Sequence, residues 1–253
     1  MPKNQVEKEH LERIVVWPDT HAPYHDKRAV ELVLHVMDKL LFSKTILIGD
    51  FIDYDSVSPH LKNLEYENKL EKELSSAAAI LRKIEVRCPG EKFYIYGNHE
   101  DFLRRYIAGQ APALYHLVDE LKYLGISEDK WKVIPYKKDM KVGRVYFTHD
   151  VGSTGANAVQ AAMNAYQDNV VTGHTHRMKY IVEGNAKGVP HVSASFGWLG
   201  DVTKVDYMHQ IKARRDWALG FGVGYLRSNG FVYLQPVPIV DYTCVVEGRL
   251  FSV

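Results

Sequence analysis

Apolar and polar residues alternate along the first hundred positions in blocks that predict strands followed by helices. Residues 13–17 form a short apolar run typical of a buried strand, and the apolar residues of 30–41 fall at helical spacing. The pattern repeats with a strand over 45–48, a helical stripe over 70–84 and a third strand over 93–96. Strands that alternate with helices favour βαβ units, in which helices pack outside a parallel sheet.

The second half of the chain is richer in strands. Residues 111–124 lack clean periodicity, so we predict short helices in an insertion over about 108–130. Strands over 145–148, 170–173 and 180–183 and a helix over 156–166 follow, and the tail over about 220–253 is strand-rich. Asn229-Gly230 predicts a hairpin turn there, because both residues tolerate positive φ. This order favours helices flanking two packed sheets in a single domain, 1–253.

Composition excludes several classes of protein. Of 253 residues, 46% are hydrophobic and 25% charged, as in globular proteins, which excludes collagen-like and disordered chains. The net charge of +1 provides no global field for nucleic acid or membrane, so any polyanion contact must be local. No apolar run approaches the roughly 18 residues of a membrane span, and the polar start lacks a signal-peptide core. We therefore expect a cytoplasmic protein without a membrane partner.

Polar side chains of metal-ligand type follow the first three predicted strands. Asp19 and His21 are two residues apart in an extended segment, so both side chains can reach one ion. Gly49-Asp50 ends the second strand, and Asn98 follows the third. Each cluster alone is as well explained by a capped turn. Because the carboxyl ends of parallel strands share one edge of a sheet, the three clusters together predict a site.

Histidines extend this pattern into the second half of the chain. His149 follows the strand over 145–148, and His174 and His176 follow the strand over 170–173 with the same two-residue spacing. A single histidine in such a place is more often structural. Five clusters at strand ends make a shared metal centre the better interpretation.

The five blocks occur in the order of a known signature: D-x-H at 19–21, G-D-x-x-D at 49–53, G-N-H-E at 97–100, His149, and G-H-x-H at 173–176. The chain thereby resembles the calcineurin-like metallophosphoesterases, most of all the small phage and prophage-encoded members, which would act in the host cytoplasm. The resemblance implies an α/β fold, a four-layer α/β/β/α sandwich, with two divalent metal ions. Asp50 would bridge them. The first ion would be held by Asp19, His21, Asp50 and His176, and the second by Asp50, Asn98, His149 and His174.

The same resemblance assigns His99 as the acid and Asp53 as the carboxylate that orients it. Nitrogen and oxygen ligands without thiolate suit manganese, our first expectation, but also iron, zinc, cobalt or nickel. Two such ions would leave a net positive charge beside Asp19 and Asp50 and lower the pKa of bound water towards roughly 7. The function expected is hydrolysis of a phosphate ester, with His99 protonating the leaving oxygen.

Neighbouring residues bear on the substrate. Arg104 and Arg105 are candidate phosphate ligands, although a solvated helix face explains them equally simply. Four aromatic residues are candidates for base stacking or for the core: Tyr54, Tyr115, Tyr123 and Trp198. Tyr54-Asp55 replaces the Arg-Gly that follows the G-D-x-x-D block in phosphoprotein phosphatases, which weakens the interpretation of the chain as such a phosphatase.

We expect a phosphodiesterase, with DNA, RNA or nucleotides as substrates to test. The alternatives are a phosphomonoesterase or phosphoprotein phosphatase and an inactive, metal-stabilised binding protein, and the oligomeric state stays open.

Overall fold

The computed structural model describes residues 10–60, 69–184, 188–204 and 216–253. Apolar segments of the first half form four parallel strands that lie side by side. One strand of the tail pairs antiparallel with the first of them, and a second tail strand pairs antiparallel with that one. The strand order is β11-β10-β1-β2-β3-β4. These strands are β1 (Glu12–Trp17), β2 (Lys44–Leu47), β3 (Glu91–Ile95), β4 (Trp131–Ile134), β10 (Gly220–Leu226) and β11 (Val232–Pro238).

A second sheet has five strands in the order β5-β6-β7-β9-β8. Its strands β6, β7 and β9 run parallel, whereas the two edge strands run antiparallel to their neighbours. The strands are β5 (Met140–Val142), β6 (Val145–Phe147), β7 (Asn169–Thr172), β8 (Met178–Glu183) and β9 (His191–Phe196).

The two sheets pack face to face through alternate side chains of their strands. Ile14 and Ile46 of the first sheet share one buried cluster with Phe147, Val171 and Phe196 of the second. Because successive strand residues point to opposite faces, the intervening Val15 and Leu47 pack on the other side, in a cluster with helix residues.

Helices cover both outer faces. The helices α1 (Lys27–Leu40) and α2 (Leu70–Arg87) contribute apolar stripes to the cluster outside the first sheet. The helix α5 (Ala158–Tyr166) lies on the second sheet, where the carbonyl of Val159 accepts a hydrogen bond from the Ser193 hydroxyl. The four-layer α/β/β/α sandwich is therefore confirmed. No helix in the described ranges is both long enough and apolar enough to cross a bilayer.

The connection from β3 to β4 contains the predicted insertion. Helix α3 (Asn98–Gln110) begins directly after β3, and a 3-10 turn (Pro112–Leu114) and helix α4 (Glu120–Leu124) follow it. Sequence periodicity did not show that α3 begins at the Asn98 position itself.

The tail contains two hairpins. Asn229-Gly230 joins β10 to β11, but only Gly230 of this pair has positive φ, at 86°. The Gly230 amide donates to the Arg227 carbonyl, so the loop is one residue longer than the predicted two-residue turn and closes with a glycine bulge. The second hairpin, β12 (Thr243–Val246) with β13 (Arg249–Ser252), lies outside the two main sheets and packs on α1.

Candidate metal centre

The polar clusters predicted from the sequence converge at one edge of the two packed sheets. The strands β1 and β2 deliver Asp19, His21 and Asp50, and α3 begins with Asn98 beside them. The strands β6 and β7 of the second sheet end at His149, His174 and His176, on the same side of the molecule. The fold thus brings together all seven residues that the sequence predicts as metal ligands.

The first group joins Asp19, His21 and His176, which are all buried. Nε2 of His176 lies 3.1 Å from Oδ2 of Asp19 and 3.0 Å from Nε2 of His21. Apart from that approach, the Asp19 carboxylate has no hydrogen-bond partner in the described part of the chain. A buried carboxylate without donors is costly unless a cation compensates it, so this group has the composition and the unmet charge of a cation site.

The second group joins Asp50, His149 and His174. Nε2 of His149 lies 3.2 Å from Oδ2 of Asp50 and 3.1 Å from Oδ1 of Asn98. The other ring nitrogen of His149, Nδ1, lies 2.9 Å from the Ile48 carbonyl, an acceptor that fixes the proton on Nδ1 and leaves Nε2 for ligation. The rings of His149 and His174 lie edge to face with centroids 5.2 Å apart.

Two glycines allow the strand ends to approach this closely. A Cβ on Gly97 would lie 2.1 Å from Oδ1 of Asp50, and a Cβ on Gly49 would lie 2.4 Å from Nδ1 of His149. Gly49 also has a φ of 103°, which side chains rarely adopt. The glycines of the G-D and G-N blocks therefore make space for the ligand side chains.

The backbone is strained at four of the predicted ligands. His21, Asp50, His174 and His176 have φ values of 51°, 47°, 68° and 56°. A positive φ is uncommon outside glycine and concentrates at functional sites, where the surrounding structure enforces it. Here the backbone amides of Thr20 and His21 both donate to the Asp50 carbonyl at 2.9 Å, which ties the first two strand ends together.

Burial and charge set the protonation of the centre. Burial and the charge of Asp50 raise the pKa of Asp19 to about 6. Burial would also raise the pKa of Asp50, but the rings of His149 and His99 hold it well below its ordinary value. Burial opposes protonation of His149, yet the Asp50 carboxylate raises its pKa to about 10. Because metal ligation requires a neutral imidazole, a cation would displace the His149 proton.

Asp53 makes a contact that the sequence did not predict. Its carboxylate Oδ1 lies 2.7 Å from Nδ1 of His21 and 3.6 Å from Nδ1 of His99. The His99 ring is instead oriented by the backbone carbonyl of Asp53, 2.5 Å from Nδ1. The Asp53 carboxylate therefore contacts a predicted metal ligand more closely than it contacts His99, and its role in orienting His99 stays a prediction. Burial would lower the pKa of His99, but the charges of Asp50 and Asp53 raise it.

Glu100 fastens the second strand end to the start of α3. Its buried Oε2 accepts the amides of Asp50 and Gly97 at 2.9 and 2.7 Å. Its Oε1 accepts the amides of Phe51 and Ile52 and the Tyr94 hydroxyl. One carboxylate thereby satisfies five donors around the Asp50 turn, a structural role.

The arginines predicted to bind substrate lie further along α3. Nη2 of Arg104 donates to the Tyr115 hydroxyl at 2.7 Å, so the guanidinium contacts the segment after α3. Arg105 is exposed. The binding of phosphate by these two arginines stays a prediction.

The aromatic candidates divide between core and surface. Tyr54 is fully buried and Trp198 is 2% exposed, so both belong to the core and cannot stack a base. Tyr115 and Tyr123 are exposed, and base stacking by them stays a prediction. The Tyr54 hydroxyl donates to Glu120 at 2.6 Å, and the Tyr96 hydroxyl donates to the same carboxylate at 2.8 Å. Sequence reasoning missed Glu120, which fastens α4 to the strand ends, because no local pattern marks a carboxylate that accepts from remote tyrosines.

Comparisons with known proteins show phage relatives. No family model matches the chain. The Gene 54 protein of Mycobacterium phage D29 is 26% identical over 262 residues, covering 95% of this chain and 99% of the relative. The Gene 54 protein of Mycobacterium phage L5 is 25% identical over 263 residues, with the same coverage of 95% and 99%.

Solved structures similar to this chain include Vacuolar Protein Sorting 29 from Cryptosporidium parvum. The TM-score is 0.49 and the sequence identity 12%, and the match covers 95% of this chain and 94% of that one. The NAD nucleotidase of Haemophilus influenzae gives a TM-score of 0.44 and 12% identity, over 90% of this chain and 49% of that one.

Proposed function

We propose that the chain is a metallophosphoesterase of the calcineurin-like type that hydrolyses phosphodiesters with two divalent metal ions. The observation that carries the proposal is the pair of adjacent groups, each with one buried carboxylate and two imidazoles, at the ends of strands from both sheets. His21 and Asp19 supply one group, and Asp50 and His149 supply the other.

The donor set fits divalent cations. In the first group the Asp19 oxygens lack donors, and the Nε2 atoms of His21 and His176, 3.0 Å apart, are spaced as two ligands of one ion. In the second group the hydrogen bond from Nδ1 of His149 leaves Nε2 directed at Asp50 and Asn98. We propose manganese, with iron, zinc, cobalt or nickel as alternatives, because the donors are nitrogen and oxygen without thiolate.

When bound, the two ions would neutralise the phosphate and provide Lewis acidity for attack by water on phosphorus. Asp50 belongs to the second group through Oδ2, which approaches His149, and its main-chain carbonyl connects it to the first group by accepting the His21 amide. We propose that this carboxylate would help to hold both ions.

His99 would serve as the acid. Its side chain is 15% exposed, and its Nδ1 contacts the Asp53 carbonyl, so its Nε2 is the nitrogen available to a substrate. The neighbouring carboxylates raise its pKa, which favours the protonated ring. The Nε2 proton can then pass to the oxygen of the leaving alcohol as the phosphorus–oxygen bond breaks.

We propose DNA, RNA or a nucleotide as the diester, recognised locally because the net charge is only +1. Similarity to phage proteins supports action in the cytoplasm of a bacterial host.

The test compares two esters. The full chain loaded with Mn²⁺ should hydrolyse bis-p-nitrophenyl phosphate faster than p-nitrophenyl phosphate, and EDTA should abolish both activities. A screen of single- and double-stranded DNA, RNA and cyclic nucleotides follows with the same enzyme. Preference for the monoester would make the protein a phosphomonoesterase. Two bound ions without turnover of any ester would make it a metal-stabilised binding protein.

A further inference from the structure

The ring of His176 is held differently from the rings of His21 and His149. Nδ1 of His21 is hydrogen-bonded to Asp53, and Nδ1 of His149 to the Ile48 carbonyl. Nδ1 of His176 is buried and has no hydrogen-bond partner in the described ranges, and the same holds for Nδ1 of His174. Imidazoles that ligate metals usually donate their outer N–H to a carbonyl or carboxylate, which fixes the ring. Another contact must fix the ring of His176.

Two tryptophans enclose that ring. Trp198 stacks on it with a centroid distance of 4.8 Å and an interplanar angle of 13°. Trp217 meets it edge to face at 4.1 Å and 81°, and the two indoles contact each other at 4.7 Å. The His176 ring therefore has one aromatic neighbour across its face and another at a right angle.

Backbone hydrogen bonds fix the two tryptophans relative to His176. The Ala218 amide donates to the His176 carbonyl at 3.0 Å, and the Trp198 amide donates to the Ala218 carbonyl at 3.0 Å. These bonds join the segment after β7 to the residues after β9 and before β10. The backbone positions from which the two indoles extend are therefore fixed relative to His176.

The two tryptophans differ in burial. Trp198 is 2% exposed, whereas Trp217 is half-buried at the rim of the centre. Replacing Trp217 therefore removes the edge contact while Trp198 keeps the packing beneath the ring.

We infer that Trp198 and Trp217 are positioning residues that fix the His176 ring by aromatic contact in place of a hydrogen bond at Nδ1, and thereby set the affinity of the Asp19–His21–His176 group for its cation. The inference rests on the proposed function, since it assumes that this group binds a metal ion. A ring held in its bound orientation loses less freedom on ligation, and an apolar surround excludes the water that competes for the ion.

The test measures Mn²⁺ affinity in single-site backgrounds by equilibrium titration. His174→Ala should weaken Mn²⁺ binding by the second group and leave binding by the first group intact. His21→Ala should weaken binding by the first group and leave binding by the second intact. In the His174→Ala background, Trp217→Leu should weaken Mn²⁺ binding about 10- to 100-fold, as loss of an outer contact to a ligand does, and Trp217→Phe should restore most of it. In the His21→Ala background, Trp217→Leu should leave the Mn²⁺ affinity unchanged. Tyr123→Leu, at an aromatic that is 73% exposed, is the matched control.

The thermal unfolding midpoint of each metal-free variant separates ring positioning from general damage. Unchanged affinity in the His174→Ala background would overturn the inference, as would equal losses in both backgrounds or a Phe variant as weak as the Leu variant. If the wild-type chain binds two Mn²⁺ ions and Trp217→Leu changes nothing, the inference alone fails. If the wild-type chain binds no divalent ion, the proposed function fails together with it.

Discussion

The Asp53 carboxylate is hydrogen-bonded to the ring of His21, with 2.7 Å between Oδ1 and Nδ1. This contact leaves Nε2 of His21 facing His176, the arrangement in which a carboxylate orients a ligand from behind. The main-chain carbonyl of the same residue holds His99. One residue thus supports the proposed first ion through its side chain and the proposed acid through its backbone.

Asp53→Asn should therefore reduce the affinity for metal more than it impairs proton donation by His99. We expect Mn²⁺ binding to weaken about 10- to 100-fold, because the amide keeps the shape but loses the charge behind His21. Asp38→Asn, which removes a carboxylate paired with Arg87 on the outer face of α1, should bind Mn²⁺ normally. Wild-type affinity in Asp53→Asn, with a loss confined to substrates with poor leaving groups, would assign the carboxylate to His99.

Gly97, which directly precedes α3, and Gly109, near the end of the same helix, provide a matched pair of glycine substitutions. Gly97→Ala would place a Cβ 2.1 Å from Oδ1 and 2.5 Å from the amide nitrogen of Asp50, which Glu100 holds. We expect a loss of about 1–3 kcal/mol in the free energy of unfolding and loss of tight metal binding. Gly109 meets nothing within 4 Å, so Gly109→Ala should stabilise the helix by about 0.5–1 kcal/mol. Urea unfolding of the two variants checks this, and similar curves would refute the steric argument.

Glu100→Gln should destabilise the fold. Each carboxylate oxygen accepts at least two donors, so whichever way the amide turns, its NH₂ group faces donors. The expected loss in the free energy of unfolding is about 2–4 kcal/mol, since buried donors are left unsatisfied. Glu71→Gln, on the exposed first turn of α2, should change the free energy by less than about 0.5 kcal/mol. An equally small effect at Glu100 would show that these donors find other acceptors.

His99→Ala should keep both metals and lose the acid. We expect a rate loss of about 10²- to 10⁴-fold with an alkyl or nucleotide diester, and a smaller loss with the nitrophenyl ester, which leaves without a proton. Because the pKa of His99 is raised, wild type should keep its advantage to a higher pH than an ordinary imidazole would allow, and lose it as the pH rises through the pKa of His99. Rates of both esters across pH, with metal content checked, measure this. Equal losses for both esters would remove the acid role, and lost metal would make His99 a ligand.

The sequence predicted the fold and the membership of the ligand clusters because both depend on local patterns. Apolar runs and helical stripes identify β1, α1 and β2, and side chains just after parallel strands must meet at one edge. That geometry brought Asp19 and Asp50 together with His149, although about a hundred residues separate the latter two.

The contacts that aim these side chains were not predictable, because they depend on backbone turns and on remote segments. The direction of the Asp53 carboxylate follows from a turn with Asp50 and Tyr54 in left-handed conformation, at φ of 47° and 50°. Trp217 approaches His176 only because the segment before β10 bonds to the end of β7. Periodicity indicates which face is buried, but not which distant residue covers it.

If two ions share Asp50, activity should require both of them, and a metal titration followed by turnover measures this dependence. Metal-free protein is titrated with Mn²⁺ while hydrolysis of bis-p-nitrophenyl phosphate and bound metal are followed in one sample. We predict that turnover rises until two ions per chain are bound, and that Asp50→Asn binds both ions weakly and does not turn over. An active Asp50→Asn variant with two tightly held ions, or a wild-type chain inactive with every divalent metal tried, would contradict the account.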